Sequence, residues 1–101
     1  MTESARLERV DGRLQLQGRV TPGNVLALRK QGEAVISQSG GGSLQLDLGH
    51  VQAASSLLLS LLLCWQRAAR RKHCSLTFSQ APARLVSLAA LSGLQETIGI
   101  H

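Results

Sequence analysis

Aromatic side chains are almost missing from these 101 residues: Trp65 and Phe78 stand alone and there is no tyrosine. Proteins that hold nucleic acid by stacking need several aromatic platforms, so this scarcity argues against that class and leaves the core to Leu, Val, Ile and Ala. Cysteine is also scarce. Cys64 and Cys74 make no disulfide framework and fit the reduced thiols of a cytoplasmic protein. His50, His73 and His101 do not combine with them in any spacing that zinc sites use, and no metal or other cofactor is expected.

Long apolar runs are missing too. A membrane-spanning helix takes about 20 mainly apolar residues; Leu57 to Trp65 offers about half of that, is interrupted by Ser60, and runs into Gln66 and Arg67. The opening MTESARLERV has no apolar stretch of the kind that marks a secretory signal. The expected location is therefore the cytoplasm, without a direct membrane span. Catalytic signatures are absent as well. Gly40, Gly41 and Gly42 precede a strand pattern and lack the Lys-Ser/Thr of a nucleotide loop. Ser55 and Ser56 have no evident base, and His50 reads as a surface loop residue, not as a partner for nucleophilic attack. No catalytic residue is assigned, and the chain is not expected to be an enzyme.

The residues present describe a globule. Apolar residues make up 44% of the chain and charged residues 17%, which suits one folded domain over residues 1–101. The formal net charge is +5, and much of the excess is local, in Arg67, Arg70, Arg71 and Lys72. Cations there complement the carbonyl end of a helix; acidic partner residues or lipid headgroups are the alternative contacts.

RLERVDGRLQLQG reads as a hairpin, with Asp11-Gly12 as a two-residue turn between alternating runs. Thr21 as cap and Pro22 at the first position open a helix whose inward stripe is Val25, Leu28, Ala34 or Val35, and Ile36. Gly32 weakens it by about 1 kcal/mol relative to Ala. SLQLDLGHV alternates Leu44, Leu46 and Leu48 with polar positions, the period of a strand with one buried face. A leucine-rich helix begins at Ser55-Ser56. CSLTFS gives another strand, APARLVSLAALSG a helix stopped at Gly93, and ETIGI a final strand. Strands alternating with helices after a hairpin predict an α/β domain, a mixed β-sheet with helices packed against it.

At about 100° per residue, Leu58, Leu61, Leu62, Trp65 and Ala69 fall on one side of the leucine-rich helix, enough to cover a sheet. The other side carries Ser56, Leu59, Ser60, Leu63, Arg67 and Arg70. An outer helix normally keeps that side polar throughout. Either neighbouring helices of the chain cover Leu59 and Leu63, or they form the apolar centre of a partner interface with a charged rim.

LQLDLGHVQAASSLLLSLLL resembles the signature of the STAS domain, found in anti-sigma-factor antagonists and attached to anion transporters. Leu46, Asp47 and Leu48 match its strand end, Val51 the apolar loop position, and Leu59, Leu61 and Leu62 the start of its helix. The order of elements fits over nearly the whole chain. The family's Asp falls on Ser55, its phosphoacceptor on Ser56 and its Gly on Leu58. The resemblance implies a STAS-type fold, and within it the chain looks most like the MlaB family, cytoplasmic subunits of the bacterial ABC transporter that maintains outer-membrane lipid asymmetry. It further implies a non-catalytic subunit of a phospholipid transporter. The implied partner is an MlaF-like ATPase subunit in a membrane complex with a permease and a substrate-binding subunit, not nucleic acid. The implied contact residues are Ser55, Ser56, Leu59, Ser60, Leu63, Arg67 and Arg70, with Ser56 as the phosphoacceptor equivalent. The alternative is an anti-sigma-factor antagonist regulated by phosphorylation of that serine.

Overall fold

The computed structural model describes residues 5–100. Strands β1 (Ala5–Val10) and β2 (Arg13–Gly18) form the expected antiparallel hairpin. Asp11 and Gly12 have φ of 51° and 79°, the two positive values that a type I′ turn requires. Helix α1 (Val25–Ser37), strand β3 (Ser43–Val51), helix α2 (Ser56–Arg71), strand β4 (Ser75–Ser79), helix α3 (Ala83–Leu91) and the short helix α4 (Gln95–Ile98) follow.

The sheet runs β1-β2-β3-β4, with β2, β3 and β4 mutually parallel. Both parallel crossovers, through α1 and then α2, step the same way along the sheet. Because such crossovers are right-handed, both helices must lie on one face. The strands show it: Leu14, Leu16, Leu46, Leu48 and Leu76 are buried, whereas Gln15 and Asp47 on the other face join side chains across β2 and β3. The sheet is therefore apolar on its helix side and polar on its bare side.

Two details differ from the sequence expectation. Helix α1 begins at Val25, not at Pro22. The Thr21 carbonyl accepts from the amides of Asn24 and Val25 at 3.1 and 3.0 Å, while the Asn24 side chain accepts from the Thr21 amide at 2.8 Å and donates to the Arg19 carbonyl at 2.9 Å. Asn24 thus locks Pro22-Gly23 into a turn before the helix can start. The last segment is α4 and not a strand. The Leu94 carbonyl accepts from the Ile98 amide, and Gly99, at φ 84°, ends the turn in the left-handed region that glycine enters without steric cost. Ile98 and Ile100 close the bottom of the core.

Gly32 lies on the buried stripe of α1 with Leu28 and Ile36, while Ala34 faces solvent. The Nε1–Cζ2 side of the Trp65 indole occupies the space a Cβ at Gly32 would take, and Trp65 Nε1 donates to the Arg29 carbonyl at 3.1 Å. Helix propensity alone would make Gly32→Ala stabilising by about 1 kcal/mol. Overlap with the indole reverses the sign: Gly32→Ala is expected to lower stability by roughly 1–3 kcal/mol, measured as a lower midpoint in urea unfolding.

Candidate functional site

Helix α2 sits between α1 and the α3–α4 pair, so its solvent side is the ridge of the helix layer. Ser55 is its N-cap in extended conformation, and its hydroxyl oxygen accepts from the Leu58 amide at 3.1 Å. Ser56, the first helical residue, is exposed, as are Ser60 and Arg67 one face-repeat further on.

Leu59 is placed differently from the expectation. It is 2% exposed and belongs to the core, so it is not available as a surface contact. It lies on the flank of α2 shared with Gln66, whose Nε2 donates to the carbonyls of Leu76 at 3.1 Å and Ile98 at 2.7 Å. That flank is the one covered by α3 and α4. Leu63, on the same side, is half-buried and packs on the core. Arg70 is exposed but donates through Nη2 to the Thr97 carbonyl at 2.7 Å, capping α4 as well as lining the ridge. The structure therefore brings Ser56, Ser60, Arg67 and part of Leu63 to one surface, gives Ser55 a capping duty and removes Leu59.

Sequence periodicity missed the apolar residues that flank this ridge. Leu26 on α1 is 60% exposed and Leu91 on α3 is 86% exposed. Leu26 lines a groove of about 180 Å³ between α1 and α2, with Val25, Arg29, Ser60, Leu61 and Cys64. Leu91 borders a shallower one of about 390 Å³ with Ala54, Ala83, Arg84, Ser87 and Leu88. In sequence the α1 segment reads by its inward stripe and the α3 segment only as a helix ending at Gly93, and neither reading marks an outward leucine.

Asp47 lies midway along β3, at the last register pair with β4. Its Oδ1 accepts from the Gly49 amide at 2.8 Å and its Oδ2 from Gln15 Nε2 at 3.3 Å. The Gly49 amide bond, helped by Gln15, holds its carboxyl below the usual range against a smaller opposing effect of burial. His50, next along, lines an open polar depression of about 450 Å³ with Arg6, Gln15, Gln17 and Gln52 on the bare side of the sheet. Among the described residues, no three His, Cys, Asp or Glu side chains converge as a metal site, and no helix is long and apolar enough to cross a membrane.

These elements, in this order and with this loop, match the family model described as the MlaB STAS domain over residues 3–100. The chain belongs to that family. Among solved structures, an anti-sigma factor antagonist from Mycobacterium paratuberculosis has the same fold, with a TM-score of 0.64 and 21% identity over 95% of this chain and 82% of that one. A search of curated proteins returns no match. In this STAS domain Ser55, which the sequence resemblance sets at the family's Asp position, caps α2, a role that a short polar side chain can play. Leu58, set by the same resemblance at the glycine position, is 1% exposed and fills the core.

Two outcomes follow from the loop. Ser55→Ala should cost about 1 kcal/mol by leaving the Leu58 amide without its cap, and Ser55→Asp should restore it, both read from chemical unfolding. A carboxyl whose folded pKa is depressed stabilises the fold above its unfolded value near 3.9 and loses that contribution as pH falls through this value toward the folded one. Asp47→Ala should therefore be less stable than the parent at neutral pH. The gap should narrow below about pH 4, as followed by unfolding midpoints across a pH series.

Proposed function

We propose that this chain is a non-catalytic cytoplasmic subunit of a bacterial phospholipid ABC transporter of the Mla type, in which it docks on the ATPase subunit and supports its assembly and activity. The observation that carries the reading is the ridge of α2. Small hydroxyl residues Ser56 and Ser60 and the cationic Arg67 are exposed on α2, and Ser60 shares the α1–α2 groove with Leu26, which is 60% exposed. An apolar centre flanked by polar and cationic side chains is the composition of a protein interface, and membership of the MlaB family supplies the partner class. Ser55 supports the site by fixing the first turn of α2; Leu63 contributes its exposed part and Arg70 the edge nearest α4. The subunit reaches the inner membrane through the complex, whose other members are a permease and a substrate-binding subunit.

Ser56→Asp and Leu26→Asp are expected to leave the circular dichroism spectrum and unfolding midpoint close to the parent, since both side chains are outside the core. Each should reduce co-purification of the ATPase subunit by at least about tenfold, the effect of losing roughly 1.4 kcal/mol at an interface. Undiminished capture by both variants would remove the reading.

A second reading has a specific support. The anti-sigma factor antagonist shares the fold, and Ser56 offers an exposed hydroxyl at the phosphoacceptor position. A phosphate there would add about −1.5 to −2 charges to the docking ridge while sitting comfortably at a helix N-terminus. Under this reading, incubation with a cognate serine kinase adds phosphate to Ser56, detected by mass spectrometry. The transporter subunit stays unmodified.

A further inference from the structure

Strand β1 is an edge of the sheet: among the described residues no strand lies on its far side. Natural edges are blunted by charged side chains, proline, bulges or shortness. This one has no proline and pairs with β2 without a register shift from Ala5 to Val10, while the irregularity in the sheet lies between β2 and β3. It does carry charge, but of both signs: Arg6 and Glu8, on one face of the strand, are 65% and 40% exposed and 3.7 Å apart.

The hairpin decides which backbone groups the edge presents. A two-residue turn closes on a bonded pair, here Val10 and Arg13, and bonded pairs alternate along an antiparallel ladder. Glu8 and Arg6 therefore turn their N–H and C=O toward β2. Ala5, Leu7 and Arg9 turn theirs to the open edge.

We propose that β1 pairs antiparallel with β1 of a second copy, about a two-fold axis through Leu7. In this register Leu7 exchanges backbone hydrogen bonds with Leu7 of the other copy, and Ala5 does so with Arg9. The intervening positions form the closely spaced, non-bonded pairs, where cross-strand side chains interact most strongly. Those pairs are Arg6 with Glu8 and Glu8 with Arg6. The neighbouring permitted registers on either side set Arg6 against Arg6 or Glu8 against Glu8, like charges directly opposed. Charge thus selects one register, and the segment Arg6-Leu7-Glu8 is complementary to its own reversal, the condition an isologous two-fold contact must satisfy. Strand pairing over Ala5 to Arg9 with a small side-chain contact makes this a weak, salt-sensitive dimer with a continuous sheet across the axis.

Sedimentation equilibrium of the full chain tests it. The parent should dimerise reversibly, with the dimer fraction falling as salt rises. Arg6→Glu and Glu8→Arg each oppose like charges in the register and should each be monomeric. An equimolar mixture of the two should recover the dimer, because each copy then meets its opposite. Arg6 is exposed and Glu8 half-buried, its carboxylate accepting from Gln17 Nε2 at 3.1 Å; neither is in the core, and the unfolding midpoint of each variant should stay within a few degrees of the parent. A monomeric parent up to about 1 mM, the weak end of specific association, overturns the proposal. So does dimerisation of the single variants, or a mixture no more associated than its components. Binding of the ATPase subunit uses α2 and is scored separately, so loss of one result leaves the other standing.

Discussion

Two adjacent side chains on α2 fix the rotation on which the rest depends. Trp65 reaches into α1, setting the Nε1–Cζ2 side of its indole against Gly32 and donating to the Arg29 carbonyl. Gln66 points the other way and is buried, with its amide donating to Leu76 at the sheet and Ile98 in α4. A buried amide left unpaired costs about 1–3 kcal/mol, so the helix cannot turn about its axis without leaving both donors unsatisfied. Held from both flanks, α2 has only one side free. That side is the line Ser56, Ser60, Arg67.

The loop before α2 is held by a neutral cap. Ser55, which the resemblance sets where the family carries Asp, supplies an oxygen to the Leu58 amide, because an N-cap asks for a short acceptor and not for a charge. The loss is electrostatic: a neutral hydroxyl leaves no carboxylate beside Ser56. A phosphoryl-transfer site would feel that absence more than a docking surface would. Leu58 replaces a position where the family carries glycine and is accommodated by being turned into the core. The resulting helix start is capped and carries no charged side chain in its first turn.

Much of the architecture was legible in the residues. The Asp11-Gly12 hairpin, the alternation in β3 and the inward stripe of α2 each follow from a strict period, and each is found where the period puts it. Errors fell where a side chain overruled the local pattern. Asn24 bonding back to Thr21 and Arg19 delayed α1, and Gly99 in the left-handed region turned an apparent terminal strand into α4. The site was legible only in part. A helical wheel divides one helix into inner and outer halves, but Leu59 is buried by α3 and α4, whose packing no wheel contains. For the same reason Leu26 and Leu91 were invisible: their exposure is set by what fails to cover them.

The sheet's asymmetry has a consequence for how the two surfaces combine. Crossovers of one hand stack α1 and α2 on one face, which leaves the three parallel strands of this mixed sheet open on the other, an unusual state for parallel strands. It is tolerable because that face carries paired polar side chains, Gln15 with Asp47 and Gln17 with Glu8, and gains nothing from apolar cover. The two surfaces proposed for partners lie elsewhere: the helix ridge faces away from the sheet, and the β1 edge lies in its plane. Because these directions differ, a partner seated on Ser56 and Leu26 does not occupy the backbone groups of Leu7 and Arg9. A strand added at β1 leaves the free side of α2 unchanged. Two copies joined at β1 would therefore present two equivalent ridges related by the same two-fold axis, which suits a partner that is itself a symmetric dimer.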